Sequence, residues 1–183
     1  MQFSRNGSAG KPGPINFISA ERSHINMVEY WAFIVRDHIY QGKTILARDV
    51  LADRVRNKFW SLNSRARNVR KLMKGDKVIF YLTSSEGKGF MGRGTLAGKA
   101  HPMSIEQRFH IIGSPSINFD YAVEFSEAEM WPKLVSIDLL ADRMPLLLGR
   151  KNPARIFRGS VIRLSERDYD IVLETAEKLM RRD

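Results

Sequence analysis

Residues 58–82 read KFWSLNSRARNVRKLMKGDKVIFYL. An aromatic residue, Trp60, is followed by a run of Arg, Asn and Ser, and a Lys-Gly-Asp turn then leads into an apolar segment. Residues 78–82 are apolar at every position, which is typical of a strand that is buried on both faces. The second half of this stretch therefore predicts a central strand of a sheet.

The first half of the stretch combines chemical groups that suit a nucleic acid. Trp60 offers a flat π-face, and two amides, Asn63 and Asn68, offer donor and acceptor edges. Positive charge comes from four residues: Arg65, Arg67, Arg70 and Lys71. Together such groups can hold a base and the phosphates beside it. An Arg-rich segment after a core Trp is also typical of a solvated surface, so both interpretations stay open.

The charge of the chain is concentrated in one third of its length. The 183 residues carry a formal net charge of +10, with an isoelectric point near 10.1. Twelve basic and two acidic residues lie between Arg54 and Lys99, a local excess as large as that of the whole chain. This pattern predicts a polyanion binder. An anionic membrane could use the same charge, but no stretch of about 18 apolar residues is present.

Several kinds of chemistry are disfavoured by composition. The absence of cysteine removes disulfides, thiolate catalysis and cysteine zinc sites. The four histidines, His24, His38, His101 and His110, do not show metal-ligand spacing. The first residues are polar and rich in Gly and Pro, which does not fit a secretory signal, so we expect a cytoplasmic location. We expect no metal and no cofactor.

The pattern along the chain predicts a leader and one folded domain. Residues 1–26 contain Gly and Pro without apolar periodicity and are expected to form a flexible leader, with the domain over residues 27–183. We predict strands over residues 30–35, 77–83 and 89–97, a loop over 37–43 and a helix from Thr44 to about Arg54. The glycines at 89, 92 and 94 are expected either to permit bulges and strong curvature or to let another group approach the backbone closely.

The second half of the chain predicts further short elements. We expect a short helix over residues 104–109, separate strands over 121–125 and 130–135 with an acidic, helix-like stretch between them, and a last strand over 156–162. Ser165 and Asp168 form a capping pattern for a helix that runs to about Met180. Strands and helices without regular alternation predict an α+β domain with a curved or barrel-like sheet.

The ordered set of motifs resembles the EVE domain family. Its parts are an opening strand with Tyr30 and Trp31, then Trp60, then Ala66-Arg67-Asn68 before the strand GDKVIFY at residues 75–81. The return strand GFMGRG at 89–94 and the ending FRGSVIRLSERDY at 157–169 are similar to those of the family. The resemblance covers residues 27 to about 180.

This resemblance implies a fold and a function. EVE domains belong to the PUA-like superfamily with YTH and ASCH domains, which implies a bent β-barrel of about six strands wrapped by two to four helices. It also implies binding of DNA or RNA that carries a modified, methylated base, which is flipped into an aromatic pocket. Similar domains stand at the front of McrBC-type restriction NTPases, so a C-terminal NTPase domain is an expected partner if the chain is a fragment.

The resemblance and the residue types together suggest a site. The expected pocket walls are Trp31, Phe33, Trp60 and Tyr81, although each of these aromatic residues could instead serve only the core. The expected hydrogen bonds to a base edge come from Asn63, Asn68 and Ser160. The expected phosphate contacts are Arg65, Arg67, Arg70, Lys71, Lys88 and Arg93.

Other functions remain open at this stage. One is an RNA-binding PUA-like protein without selectivity for a modified base, and another is an interaction domain of a larger restriction or NTPase assembly. An enzyme is disfavoured, because a metal nuclease needs clustered carboxylates and a zinc deaminase needs Cys and His ligands. The residues do not decide between DNA and RNA, nor between base modifications.

Overall fold

The structure, a computed structural model, describes residues 27–111 and 119–181. The predicted leader, residues 1–26, lies outside them. The strands are β1 (Tyr30–Arg36), β2 (His38–Tyr40), β3 (Lys43–Ile45), β4 (Phe59–Leu62), β5 (Lys77–Ser84), β6 (Gly87–Leu96), β7 (His101–Pro102), β8 (Tyr121–Ser136) and β9 (Val161–Leu164). The α-helices are α1 (Ala47–Asn57), α2 (Ile105–Phe109) and α3 (Glu166–Met180).

One curled sheet organises the domain. Its strand order is β4-β8-β6-β5-β1-β9, with β7 joined to β8, while β2 and β3 form a separate hairpin. Strands β1 and β5 are parallel, and the other pairs are antiparallel. Strand β5 lies between β1 and β6, and its residues 78–82 are buried. The predictions of a central strand here and of an α+β domain with a barrel-like sheet are confirmed.

The two faces of the sheet bury two separate cores. Along β5, Phe80 points into the inner core, which also contains Phe33 and Trp60. Its neighbours in sequence, Ile79 and Tyr81, point to the outer core beneath α3. This alternation is the two-residue period of a strand, and it explains why no position of the segment is polar.

Glycines in β6 allow the sheet to bend. A Cβ atom at Gly92 would lie 2.4 Å from the carbonyl oxygen of Glu129 on β8, so no larger residue fits there without movement of the backbone. The register between β6 and β8 shifts between Phe90 and Gly92, which marks a bulge. The expectation that these glycines permit bulges and curvature is confirmed.

A single long strand replaces two predicted ones. Strand β8 runs through the acidic stretch that was expected to be helix-like, and the prediction of two separate strands is wrong. Glu129 pairs in register with Arg93 of β6, and its carboxylate accepts a bond from the Arg93 guanidinium at 2.7 Å. A cross-strand charge pair on the exposed side allows acidic residues within a strand.

The predicted last strand begins too early. Residues Pro153–Arg158 form a 3₁₀ helix, and β9 starts only at Val161. Pro153 opens this helix, because proline fixes the backbone angle that a helix start requires. Phe157 then packs its ring on Tyr81, with centroids 4.1 Å apart, and so fills the outer core.

The segment before α1 also differs from prediction. Residues 37–43 were expected to form a loop, but they belong to the β2–β3 hairpin. Helix α1 begins at Ala47 rather than near Thr44, and the Ala47 amide donates to Asp37 Oδ1 at 2.8 Å. The first amide of the helix is therefore bonded by Asp37, which lies between β1 and β2, and not by Thr44.

The other helix predictions are confirmed. Ser104 caps α2 with a reciprocal bond to Gln107, and Ser165 caps α3 with the predicted Asp168. Helix α3 buries Tyr169, Val172 and Ala176 against the outer face of the sheet. Within residues 27–111 and 119–181, no helix combines the length and apolarity needed to cross a bilayer.

Candidate nucleic-acid interface

A loop of residues 63–72, here called the seam loop, joins the two ends of the sheet. It leaves β4, which ends the strand order on one side, and reaches β9, which ends it on the other. Asn68 adopts a left-handed backbone with φ of 72°, and its side-chain amide donates to the Val161 carbonyl at 3.0 Å. Val69 and Leu72 are fully buried in the inner core. The seam loop is thus held at fixed points.

A second fixed point holds the beginning of the seam loop. The backbone amide of Ser64 donates to Asp120 Oδ1 at 2.7 Å, and its hydroxyl donates to the other carboxylate oxygen. These two bonds, together with the positive charge of Arg65, lower the pKa of Asp120 despite some burial. Asp120 therefore stays ionised and anchors the loop at neutral pH.

The side chains that the seam loop presents to solvent are basic. Arg65, Arg67, Arg70 and Lys71 are exposed. No ion pair joins Arg67, Arg70 or Lys71 to an acidic residue of segments 27–111 and 119–181. Four cations on a fixed loop create a positive surface that suits a polyanion.

The four aromatic residues predicted as pocket walls lie in the cores. Trp31, Phe33, Trp60 and Tyr81 are 0–3% exposed. The Trp31 indole donates to Asp76 Oδ2 at 2.8 Å, and the Tyr81 ring packs on Phe157. The prediction that these rings form the walls of an open slot is wrong for the described conformation, because all four are buried within the cores.

Trp60 nevertheless has an unusual neighbour. Its ring stacks parallel to that of Phe80, with centroids 5.2 Å apart and an interplanar angle of 3°. The guanidinium carbon of Arg54 lies 4.7 Å from the Trp60 ring centre, and 5.7 Å from that of Phe119. A planar cation thus occupies a position where aromatic systems stack.

Arg54 itself is buried, which is rare for an arginine. Its Nη1 donates to the hydroxyl of Ser61, whereas its Nε has no hydrogen-bond partner in the described part of the chain. Burial lowers the pKa of Arg54 to about 10, and the charge of Asp53 opposes this shift. The guanidinium therefore sits in an environment that compensates its charge poorly.

Arg54 lines a small crevice, here called the Arg54 crevice, with a volume of about 10 Å³. Its other walls are Val50, Asp53, Phe59, Ser61, His110 and Ile111. His38 lies close by: burial and then the charge of Arg54 lower its pKa, and its Nε2 is buried without a partner among residues 27–111 and 119–181. A space of this size holds about one water molecule and no base.

Asn63 belongs to the seam loop, and the other three predicted residues lie outside it. Ser160 is exposed, and its carbonyl accepts the Ile34 amide beside Val161, so it adjoins Asn68. Lys88 lies on β6 opposite Thr83. Arg93 lies on the α3 side of the sheet, paired with Glu129 and apart from the seam loop, and its phosphate contact stays a prediction.

Arg93 belongs instead to a larger cleft of about 540 Å³ between α3 and the sheet. Tyr30 and Tyr169 contribute adjacent rings to this cleft, Lys77 donates to the Thr95 hydroxyl, and Arg93 pairs with Glu129. Its acidic residues, Glu127, Glu129 and Asp170, outnumber its two cations. This charge balance does not suit a nucleic acid, so the seam loop remains the candidate surface.

Sequence reasoning missed Arg54, although a signal was present. Arg54 follows Val50 by four residues, so it falls on the same face of α1 as the buried Val50 and Leu51. A cation at an apolar position of an amphipathic helix indicates either a buried partner or a ligand. Asp120, which holds the seam loop, lies far from it in sequence and gave no such signal.

Comparison with known proteins gives the family. No curated protein matches the sequence. Several solved structures share the fold, including the following three. A hypothetical protein from Leishmania major is 18% identical over 85% of this chain and 99% of that one, with a TM-score of 0.57. A protein from Pseudomonas putida is 20% identical over 80% and 99% of the two chains, with a TM-score of 0.53.

The third is the human THYN1 protein, solved in complex with 5-methylcytosine containing DNA. It is 18% identical over 81% of this chain and 98% of that one, with a TM-score of 0.53. At such identities the likeness shows the fold alone. The model of the EVE domain family matches residues 29–175, and the chain therefore belongs to the EVE domain family.

Proposed function

We propose that the chain is a non-catalytic nucleic-acid-binding domain that recognises a modified, methylated base in DNA or RNA. The observation that carries the proposal is the adjacency of the exposed basic side chains of the seam loop and a buried guanidinium stacked on Trp60. Ser64 of the seam loop is bonded to Asp120, and the preceding residue, Phe119, places its ring beside Arg54. The phosphate backbone and the modified base of a bound nucleic acid would thus contact neighbouring parts of one protein surface.

The seam loop is assigned to the phosphates. Its four exposed cations, Arg65, Arg67, Arg70 and Lys71, would displace counterions from the backbone and supply affinity that does not depend on sequence. Because Asn68, Ser64 and two buried side chains already fix the loop, little ordering would be required on binding.

The Arg54 crevice is assigned to the base. With about 10 Å³ it is too small for a base, so a base would enter by replacing the guanidinium on the Trp60 ring. The lowered pKa of Arg54, about 10 against 12.5, corresponds to a burial cost of about 3 kcal/mol, which favours release of this side chain. Once released, the guanidinium could donate to a base edge or to a phosphate.

The THYN1 complex supports the proposal, since a protein with the same fold was solved with DNA that contains 5-methylcytosine. The proposal gives no residue a catalytic role. A C-terminal NTPase partner and a cytoplasmic location stay predictions from the sequence.

A binding panel tests the proposal. Oligonucleotides carrying 5-methylcytosine, 5-hydroxymethylcytosine or N6-methyladenine, and unmodified controls, would be compared by fluorescence anisotropy as DNA and RNA over a range of salt concentrations. A variant with Arg67, Arg70 and Lys71 changed to Ala should weaken binding to every ligand and flatten the salt slope by about two to three, at close to one per lost phosphate contact.

A matched variant controls for net charge. It changes three exposed cations of α3 and its flank, Arg167, Lys178 and Arg181, to Ala, and should bind like wild type. An equal loss of affinity in both variants would mean that the seam loop contributes only through the net charge of the protein. Failure of wild type to bind at low salt, or equal affinity for modified and unmodified strands, would refute the proposed function.

A further inference from the structure

The β2–β3 hairpin projects from the end of β1 and is built as a stiff element. Its strands pair from His38 with Ile45 to Tyr40 with Lys43, so only Gln41 and Gly42 form the turn. Both turn residues have positive φ, 49° and 75°. A two-residue turn of this kind matches the twist of the strands and gives a tight hairpin.

Asp37 fixes the root of the hairpin. One carboxylate oxygen accepts the amide of Ala47 at the start of α1, and the other accepts the amide of Ser85 in the β5–β6 turn, both at 2.8 Å. Burial acts against ionisation, but these two amides lower the pKa of Asp37, so the anchor is charged at neutral pH. The hairpin is thereby tied to two other elements of the domain.

The hairpin exposes apolar side chains at its far end. Ile39 is 79% exposed and Tyr40 is 42% exposed. Exposed cations flank them on both sides, with Arg36 before the hairpin and Lys43 next to the turn. An apolar tip between positive charges is complementary to a duplex, which presents stacked bases between two phosphate backbones.

The hairpin also adjoins both parts of the proposed surface. Asp37, which precedes its first strand, accepts the amide of Ala47 at the start of α1, and Arg54 lies about two turns further along the same helix. On the other side, the Arg36 guanidinium donates to the Arg158 carbonyl, close to Val161, the partner of Asn68 in the seam loop. At about 3.3 Å per residue, the turn lies roughly 10 Å beyond His38.

We propose that Ile39 and Tyr40 form a wedge that enters duplex DNA and fills the gap left by a base extruded toward the Arg54 crevice. Extrusion unstacks the neighbouring base pairs, and inserted apolar side chains replace the lost contacts. A single strand has no stack to refill, so the wedge selects duplex DNA over single-stranded DNA and RNA. This inference rests on the proposed function.

The test compares variants on matched ligands. A double variant, Ile39→Ser with Tyr40→Ser, would be measured against the modified duplex that wild type binds most tightly and against its single strand. A control double variant, Leu139→Ser with Leu148→Ser, removes two apolar side chains of similar exposure elsewhere on the surface. Ile39→Leu keeps the apolar tip, and melting curves verify that all variants fold.

The wedge variant should lose at least tenfold in affinity for the duplex and stay within twofold of wild type for the single strand. 2-Aminopurine beside the modified base should brighten on binding of wild type, Ile39→Leu and the control, but not of the wedge variant. Equal duplex affinity and equal brightening in the wedge variant and wild type would overturn the wedge alone. Tighter wild-type binding to a single-stranded DNA or RNA than to the duplex would also overturn it.

The failure of the proposed function gives a different result. In that case wild type would bind neither duplex nor single strand at low salt, and the wedge would fall with it. If the wedge variant lost affinity equally for the duplex and for the single strand, Ile39 and Tyr40 would contact either ligand without insertion, and the wedge would be overturned.

Discussion

Replacing Arg54 with methionine should remove recognition of the modified base while leaving the stability of the domain almost unchanged. Methionine is unbranched and of similar length, so it can fill the space beside Trp60 without a cavity. The variant therefore removes the charge and the donors of Arg54 but keeps the packing.

The expected stability follows from opposing contributions. Burial of the guanidinium costs about 3 kcal/mol, from the shift of its pKa to about 10. The charged hydrogen bond to Ser61 returns about 1.5–3 kcal/mol, and the contact with Trp60 about 0.5–2 kcal/mol. The two favourable contributions together roughly offset the cost, so the free energy of unfolding should change by between a gain of about 1 kcal/mol and a loss of about 2 kcal/mol, which is at most about 8 °C in Tm.

Two assays on the same preparation check this. Thermal melting gives Tm, and anisotropy gives the ratio of affinities for modified and unmodified strands, which should fall at least tenfold while the salt slope stays constant. Arg56→Met, at an exposed position of α1, is the control and should change neither. A loss of about 3–5 kcal/mol would mean that Arg54 belongs to a structural ion pair, and retained selectivity would refute the assignment of the base to the crevice.

Three further predictions concern the fold. Asn68→Ala should lower the free energy of unfolding by about 2 kcal/mol and Asn68→Gly by about 1 kcal/mol. Both variants lose the hydrogen bond to Val161, but only alanine is strained at φ of 72°. Equal losses of unfolding free energy in urea melts would exclude backbone strain. The bond to the Pro102 carbonyl and the pairing with Glu124 raise the pKa of His101 above 6.5 despite burial, so its contribution is complete below 6.5 and declines as pH rises through the raised value. His101→Gln should therefore reduce the fall of Tm as pH rises from 6.5 through the raised pKa, and an unchanged fall would contradict this. Phe157→Ala should cost about 3–5 kcal/mol by leaving a cavity in the outer core, and a cost under about 1 would show that the core refills.

Local signals in the sequence were enough to predict much of the fold. Continuous apolarity of residues 78–82 gave the central strand, because both of its faces meet a core. The Ser165 and Asp168 pattern gave the start of α3, because capping depends only on residues within one turn. Such features are set by neighbours in sequence and need no knowledge of distant contacts.

Features that depend on distant contacts were predicted less well. The acidic stretch in β8 became a strand because Arg93 lies opposite Glu129, and no local pattern contains that pairing. The 3₁₀ helix before β9 follows from Pro153, which favours a helix start, together with the packing of Phe157 on Tyr81 in the outer core. In both cases a contact with a residue distant in the sequence decided the local structure.

The site shows the same distinction. Trp60 and Tyr81 have the composition of a base pocket, but aromatic residues that alternate along strands fill a small barrel equally well, and the structure buries them. The exposed cations of the seam loop were predicted correctly as exposed, since charge alone keeps Arg67 and Arg70 at the surface. Arg54 was missed because its burial arises from tertiary packing.

The seam loop has a consequence for how the domain responds to its ligand. It continues from β4 at one end of the curled sheet and bonds to Val161 of β9 at the other end, so it links the two ends. A ligand held by its cations would therefore also hold the sheet closed. Amide hydrogens of β4 and β9 should exchange with deuterium more slowly when nucleic acid is bound, and those of α3 should exchange at the same rate.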